Sequence, residues 1–369
     1  MSEIKVNSIK GVGATDAAIT VNNTDGTCTA NITNNLSNRN LIINGAMQVA
    51  QRGTSSTSSG YYTVDRFSTY YSGTDEAPTI SQTDVASGTT PYTLGFRKTL
   101  KVTNGNQTSG AGAGDYIFIR TILEAQDIAN SGWNYVSSSS NITLSFWVKS
   151  SVAQNFYGYL RSIDGTSQLY PFETGSLSAD TWTKITKTIS GNSNLTFDNN
   201  NDGGMEIVVA PFWGTDYTGS VSLNAWAAYA SATRTPDSTS TWYTTNDATF
   251  EITGVQLEVG SHSTDFEFLP FSDELRKCER YFEICATGQV MLIESTSSGY
   301  IEIPLIFRTQ KRANPTMTLL SSEENFASSV TVVTGNSTEK IYQAGIRGNT
   351  ITSTGNKYLY GKASADSEL

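Results

Sequence analysis

His262 is the only histidine in the chain, so any Ser-His-Asp or Cys-His nucleophilic system would have to be built around it. Its setting, Gly260-Ser261-His262-Ser263-Thr264, reads as a turn leaving a strand, not as the frame of a general base. The three cysteines, Cys28, Cys278 and Cys285, show no C-x-x-C spacing. Free thiols made in a reducing cytosol are the simplest account, and a zinc site built on His and Cys is not expected. Asp198-Asn199-Asn200-Asn201-Asp202-Gly203 matches the first half of a calcium loop, but Val209 stands where the bidentate Glu is required. Its strand-like neighbours predict a hairpin turn. Gly110-Ala111-Gly112-Ala113-Gly114 lacks the Lys-Ser/Thr that follows a phosphate-binding loop. Carboxylates are plentiful, yet nothing marks a pair for glycoside hydrolysis. The expectation is a protein with no catalytic residues, no metal and no cofactor.

The aromatic residues offer a different chemistry. Flat rings stack on the C–H faces of sugars, while amides and carboxylates bind the hydroxyls. Trp133 and Tyr135, Trp213 and Tyr217, Trp226 and Tyr229, and Trp242 and Tyr243 all lie in or beside Gly/Ser/Asn-rich stretches. They are the candidates for glycan contact. The competing role for each is to pin its loop onto a core. Trp147 and Trp182 flank regular strands and read as packing residues. Tyr342, Tyr358 and Tyr360 near the C-terminus are rivals for recognition.

These loops need strands to hold them. Over 369 residues only 16% are charged and 11% are aromatic, with 31 Gly. Polar β-formers, aromatics and abundant turn residues describe an all-β protein. The net charge of −10 (24 basic against 34 acidic residues) provides no basic footprint for nucleic acid and would be repelled by an anionic membrane. No run of 18 apolar residues predicts a membrane span, and Met1-Ser2-Glu3-Ile4-Lys5-Val6 has no apolar stretch of the kind a secretory leader carries.

Along the chain, residues 1–38 hold short apolar patches between turn clusters, too little to form a domain alone. Ordering by another copy or a different protein is expected there. Residues 39–271 alternate strand-like runs with polar loops. Ile142, Leu144, Phe146 and Val148 alternate with Thr143, Ser145, Trp147 and Lys149, a strand with one buried face. Irregular strand spacing with long loops suits a jelly-roll β-sandwich better than a repeat array. Ser272 as N-cap, Asp273 and Glu274 in the first turn, and Leu275, Cys278, Phe282 and Cys285 at helical spacing predict a linker helix over 272–285. Residues 286–369 read as a second, smaller β-sandwich, with Pro304 marking an edge strand.

Three stretches together carry a resemblance. They are Asn40-Leu41-Ile42-Ile43-Asn44-Gly45-Ala46-Met47-Gln48-Val49-Ala50-Gln51-Arg52-Gly53 with Tyr62-Thr63-Val64-Asp65-Arg66-Phe67; Leu144-Ser145-Phe146-Trp147-Val148-Lys149-Ser150-Ser151; and Phe250-Glu251-Ile252-Thr253-Gly254-Val255-Gln256-Leu257-Glu258-Val259-Gly260 with Asp265-Phe266-Glu267 and Cys278-Glu279-Arg280-Tyr281-Phe282. In this order they resemble bacteriophage tail fibres and related virion proteins, whose central module is a jelly roll like those of carbohydrate-binding modules. The ends resemble fibres of phages of marine cyanobacteria and other aquatic bacteria. The resemblance implies a virion protein assembled in the host cytoplasm, a homotrimer, and attachment of the particle to host-surface polysaccharide. Residues 1–38 would tether it to a tail or other virion protein, with Ile4, Val6, Ile9, Ile19 and Val21 as the contacts. A head fibre or tail connector without a receptor, and a polysaccharide-degrading tailspike, are the alternatives.

Overall fold

In the computed structural model the described residues are 6–10, 12, 18–21, 24, 28–30, 38–334 and 341–369. The strands in chain order are β1 (Ser8–Ile9), β2 (Ile19–Val21), β3 (Cys28–Ala30), β4 (Ser55–Ser56), β5 (Ser68–Ser72), β6 (Thr79–Asp84) and β7 (Lys98–Thr103). They continue with β8 (Tyr116–Glu124), β9 (Asn141–Ser150), β10 (Asn155–Ser162), β11 (Gln168–Ser176), β12 (Thr183–Ser190), β13 (Gly203–Trp213), β14 (Ala227–Ala228) and β15 (Thr249–Val259). Beyond them lie β16 (Phe282–Ile293), β17 (Ser297–Ile306), β18 (Thr316–Glu324), β19 (Ala327–Thr334), β20 (Gln343–Ile351) and β21 (Gly355–Asp366). The helices are α1 (Thr90–Thr93), α2 (Ala125–Ala129), α3 (Thr241–Thr244) and α4 (Phe271–Glu279). None of the described helices is long and apolar enough to cross a membrane.

Two six-stranded sheets, β14-β11-β10-β13-β8-β5 and β12-β9-β15-β7-β6-β4, face each other as a jelly-roll β-sandwich. The two-residue period produces the layer between them. Ile142, Leu144, Phe146 and Val148 of β9 meet Phe156, Leu160, Ile207 and Val209 from the opposite sheet in one continuous core. A second, smaller sandwich stacks β16-β21-β18 on β17-β20-β19, with Cys285, Ile303, Leu305, Phe326, Ile346 and Leu359 between them. Pro304 lies on β17, an edge strand that pairs only with β20. The N-terminal strands form a three-stranded sheet of their own, β1-β2-β3. There Val6 and Ile9 are exposed and Ile19 and Val21 are half-buried, while Ile4 lies outside the described residues.

The helix expected over 272–285 is shorter. It covers Phe271–Glu279, follows Pro270 without a side-chain cap, and carries Asp273 and Glu274 first, Arg276 and Lys277 last, in line with its dipole. Phe282 and Cys285 belong to β16, which pairs with β21 from Phe282↔Asp366 to Ile293↔Gly355. Aromatic and β-branched residues past Arg280 favour the strand, and Cys285 is buried by either period, so spacing alone could not separate the two.

Charged contacts lock α4 and the C-terminal residues onto the first sandwich. Arg280 Nε and Nη2 donate to the Glu124 carboxylate at 2.7 and 2.8 Å. Arg66, fully buried, lies 3.4 Å above the Tyr281 ring and pairs with Glu368. Arg52 reaches Asp366 at 3.0 Å and Glu368 at 3.3 Å.

Candidate functional site

Most of the loop aromatics turn out to be anchors. Trp133, Trp242 and Tyr243 are buried in the main core. Trp133 Nε1 donates to Ser140 O at 3.2 Å and Trp242 Nε1 to Thr249 O at 3.0 Å. Tyr243 stacks on Phe212 at 4.4 Å and donates its hydroxyl to Asp115. Their rings offer no free face, so the expectation of surface recognition fails for them: burying a large ring stabilises the fold more than exposure would. Tyr135 is half-buried edge-on to Phe197, and Trp226 is half-buried on Tyr170 with Nε1 bonded to Ser190 O at 2.8 Å. Trp213 is buried too, 1% exposed, but it belongs to a separate aromatic cluster on the outer face of the β8–β13–β10 sheet.

That outer face is the candidate site. On β8, Ile117 and Ile119 point into the core while Tyr116, Phe118 and Arg120 point out. On β10, Phe156 and Leu160 point in while Tyr159 and Arg161 point out. On β13, Met205, Ile207 and Val209 point in and Glu206 points out. A register shift between Val209 and Phe212 then inserts one residue. It sends Phe212 into the core and Trp213 to the outer cluster, where a regular strand would have done the reverse.

The loop of residues 214–240 folds back over this face. Gly214 N donates to Asp115 O at 2.8 Å, and a Cβ on Gly214 would sit 2.3 Å from Ala113 O, so only glycine fits the approach. Thr218 and Thr235 form a parallel bridge, and Arg234 N donates to Tyr217 O at 2.8 Å. Tyr229 N donates to Ser167 O at 2.9 Å. Tyr217, Tyr229 and Arg234 thereby become one wall of an open groove of about 250 Å³, with Tyr159, Phe118 and Tyr116 along its floor.

Rings and guanidiniums alternate in this groove. Phe118 stacks on Trp213 at 4.8 Å, and Tyr116 meets Tyr217 edge-on at 5.4 Å. Arg161 lies 3.8 Å over Tyr229, Arg120 lies 4.7 Å over Tyr70, and Arg234 lies 4.8 Å over Trp213. Glu206 sits between Arg161 at 3.4 Å and Arg120 at 3.7 Å. Burial, reinforced by the Glu206 carboxylate, pushes the Tyr159 phenol well above its ordinary value. The ring therefore stays a neutral hydrogen-bonding group. The site can stack flat faces and bind oxygens; among the described residues no group of three or more His, Cys, Asp or Glu is placed to hold a metal.

Of the expected residues, only Trp213, Tyr217 and Tyr229 come together here. Tyr116, Phe118, Arg120, Tyr159, Arg161, Glu206 and Arg234 were not foreseen. Their signal was present in the alternation of Tyr116-Ile117-Phe118-Ile119-Arg120: aromatic and charged residues repeated on the face opposite the core. The other motifs are structural. The calcium-like loop is not the hairpin turn expected, since β12 and β13 on either side of it belong to opposite sheets; Asn200 O and Asp202 O accept from Gln126 N and Ala125 N, so it caps α2. His262 is exposed in its turn and shares a 2.8 Å hydrogen bond with Ser261 Oγ.

No protein-family model and no curated protein matches the chain. Solved structures do align with it. The N-terminal cellulose-binding domain of Cellulomonas fimi β-1,4-glucanase C is 11% identical, with 58% of this chain and 99% of that domain covered at a TM-score of 0.28. A xylan-binding domain of Paenibacillus barcinonensis is 10% identical, covering 61% and 96% at 0.29. A family 11 carbohydrate-binding module of Clostridium thermocellum is 13% identical, covering 52% and 88% at 0.26. At scores this low the likenesses carry no functional argument.

Proposed function

We propose that the chain is a non-enzymatic glycan-binding protein, and that it serves as a fibre-type appendage attaching a phage particle to host-surface polysaccharide. The observation that carries the glycan reading is the outer-face groove, where the half-buried rings of Tyr217, Tyr229 and Phe118 line one strip beside Arg161, Arg234 and Glu206. Rings and polar groups arranged along one strip are what a sugar chain requires. The fibre reading is supported by the ordered set of segments from Asn40 to Phe282. In that reading residues 1–38 are the tether, three copies assemble, and multivalency compensates for a weak single site.

The glycan reading is tested by affinity electrophoresis of the full chain through gels containing bacterial surface polysaccharides. Retention is expected, without release of oligosaccharide. Tyr217→Ala and Tyr229→Ala should each weaken it by about fivefold, the equivalent of about 1 kcal/mol for one stacked ring. Undiminished retention in both variants would dismiss this groove. Sugar release abolished by a single Asp or Glu substitution would place the protein among enzymes. Immunogold labelling of particles with an antibody to the chain tests the appendage role; label on the head alone would overturn the tail placement.

A further inference from the structure

The groove's charge runs against that of the molecule. The chain carries a net charge of −10, yet the ionised groups lining the groove are three arginines, Arg120, Arg161 and Arg234, and one carboxylate, Glu206. Arg120 and Arg161 share the single Glu206 carboxylate, and among the described residues protein partners take only part of the donor capacity of the three arginines. A guanidinium has five N–H donors. Among the described residues, Arg234 directs only Nε to a protein acceptor, Ser231 O at 3.1 Å. Arg161 engages Nε with Ser167 Oγ and Nη1 with Glu206. Arg120 engages Nη2 with Tyr70 Oη, while its buried Nε has no partner among the described residues. Trp213 Nε1, beneath Arg234, is likewise buried and unpartnered. Each guanidinium carbon lies within 5 Å of a ring centroid, which restricts its position while N–H groups stay free for an incoming acceptor.

A neutral sugar would satisfy this surplus of donors poorly, because each hydroxyl brings a donor of its own. A carboxylate or sulfate ester brings acceptor oxygens only, and matches the guanidinium fork. We infer that the groove selects an acidic polysaccharide, with an anionic sugar substituent held among Arg120, Arg161 and Arg234 and a pyranose face on Tyr217 or Tyr229. This rests on the glycan reading above and adds the ligand class.

Isothermal titration of the full chain with polygalacturonate, iota-carrageenan and a neutral mixed-linkage β-glucan tests it. The expected result is binding to an acidic polymer, carboxylated or sulfated, at least tenfold tighter than to the neutral one and weakening with salt. Arg161→Gln and Arg234→Gln should each reduce acidic binding by about tenfold, the effect of losing one charge-assisted contact. Glu206→Gln should do the opposite and tighten it, since it removes the one carboxylate among the described residues lining the groove; a purely structural role for Glu206 could only weaken binding. Neutral glucan bound as tightly as the acidic polymers, with the arginine variants unaffected, would overturn the acidic assignment and leave the glycan reading standing. Acidic binding unchanged in both arginine variants would overturn the assignment of this groove. No binding to any of the three would overturn the acidic assignment; the wider polysaccharide panel above then decides the glycan reading separately. Circular dichroism of each variant confirms that the fold persists.

Discussion

Replacing Arg280 by Met should loosen the C-terminal unit from the first sandwich, and the size of the effect follows from what is left behind. Glu124 is wholly buried at the end of β8, and Arg280 supplies two of its hydrogen bonds, at 2.7 and 2.8 Å. Burial raises the Glu124 pKa, but the hydrogen bonds from Arg280 and Tyr281 outweigh it and hold the carboxyl below its ordinary value. Met keeps the packing of the methylene stem and deletes the charge. The buried carboxylate then loses its counter-ion, at a cost of about 3–5 kcal/mol. Glu124→Gln with Arg280→Met should be more stable than Arg280→Met alone, because no naked charge remains. The pH dependence has a definite sign. A depressed carboxyl pKa stabilises the native state above the unfolded value and loses that stability as pH falls through the native value. In Arg280→Met the native pKa rises, so the penalty is full near neutrality and shrinks in acid as Glu124 takes a proton. Urea unfolding followed by tryptophan fluorescence at pH 7 and pH 4 measures both. A loss below about 1 kcal/mol at pH 7, typical of an exposed pair, or a penalty identical at the two pH values, would refute the reasoning.

Asp65 should behave in the opposite sense: burial raises its carboxyl to about 6, against opposing hydrogen bonds from Gln51. A native pKa above the unfolded one means stability falls as pH rises from about 4 to about 6. Over that window Asp65→Asn should gain on the parent protein by up to about 3 kcal/mol, and parallel stability curves would contradict this. Trp242→Ala should destabilise by about 3–5 kcal/mol through loss of a fully buried ring. Calorimetry checks this; an unchanged melting temperature would mean the ring does not anchor its loop.

The fold class was legible because it depends on pattern. Ile142 to Val148 alternates, and so do Ile301, Ile303 and Leu305, and a two-residue period with Gly- and Asn-rich breaks leaves few architectures. The boundary at residue 280 was not legible, since Cys278, Phe282 and Cys285 satisfy a helical stripe while the chain changes from helix to strand between the first and second of them. Nor was the calcium-like loop's purpose: it depends on α2, whose free N–H groups lie far along the chain from the Asn200 and Asp202 carbonyls.

The site was harder to see for a reason of exposure. Tryptophan in a polar loop draws attention, but such a ring gains most by turning inward, as Trp133 and Trp242 do. The rings that sequence reading missed are on strands, where the sheet already fixes their direction and the opposite face fills the core. Tyr116, Phe118 and Arg120 cannot turn inward without pulling Ile117 and Ile119 out, because the period of the strand ties the two faces together. The loop that carries Tyr217, Tyr229 and Arg234 then adds a wall whose position depends on Gly214 and on the inserted residue near Phe212. Neither device has a motif. A residue's availability for recognition is set here by which face the core leaves open, so a search for such sites should begin with large side chains on the polar face of a strand and only afterwards consider the loops.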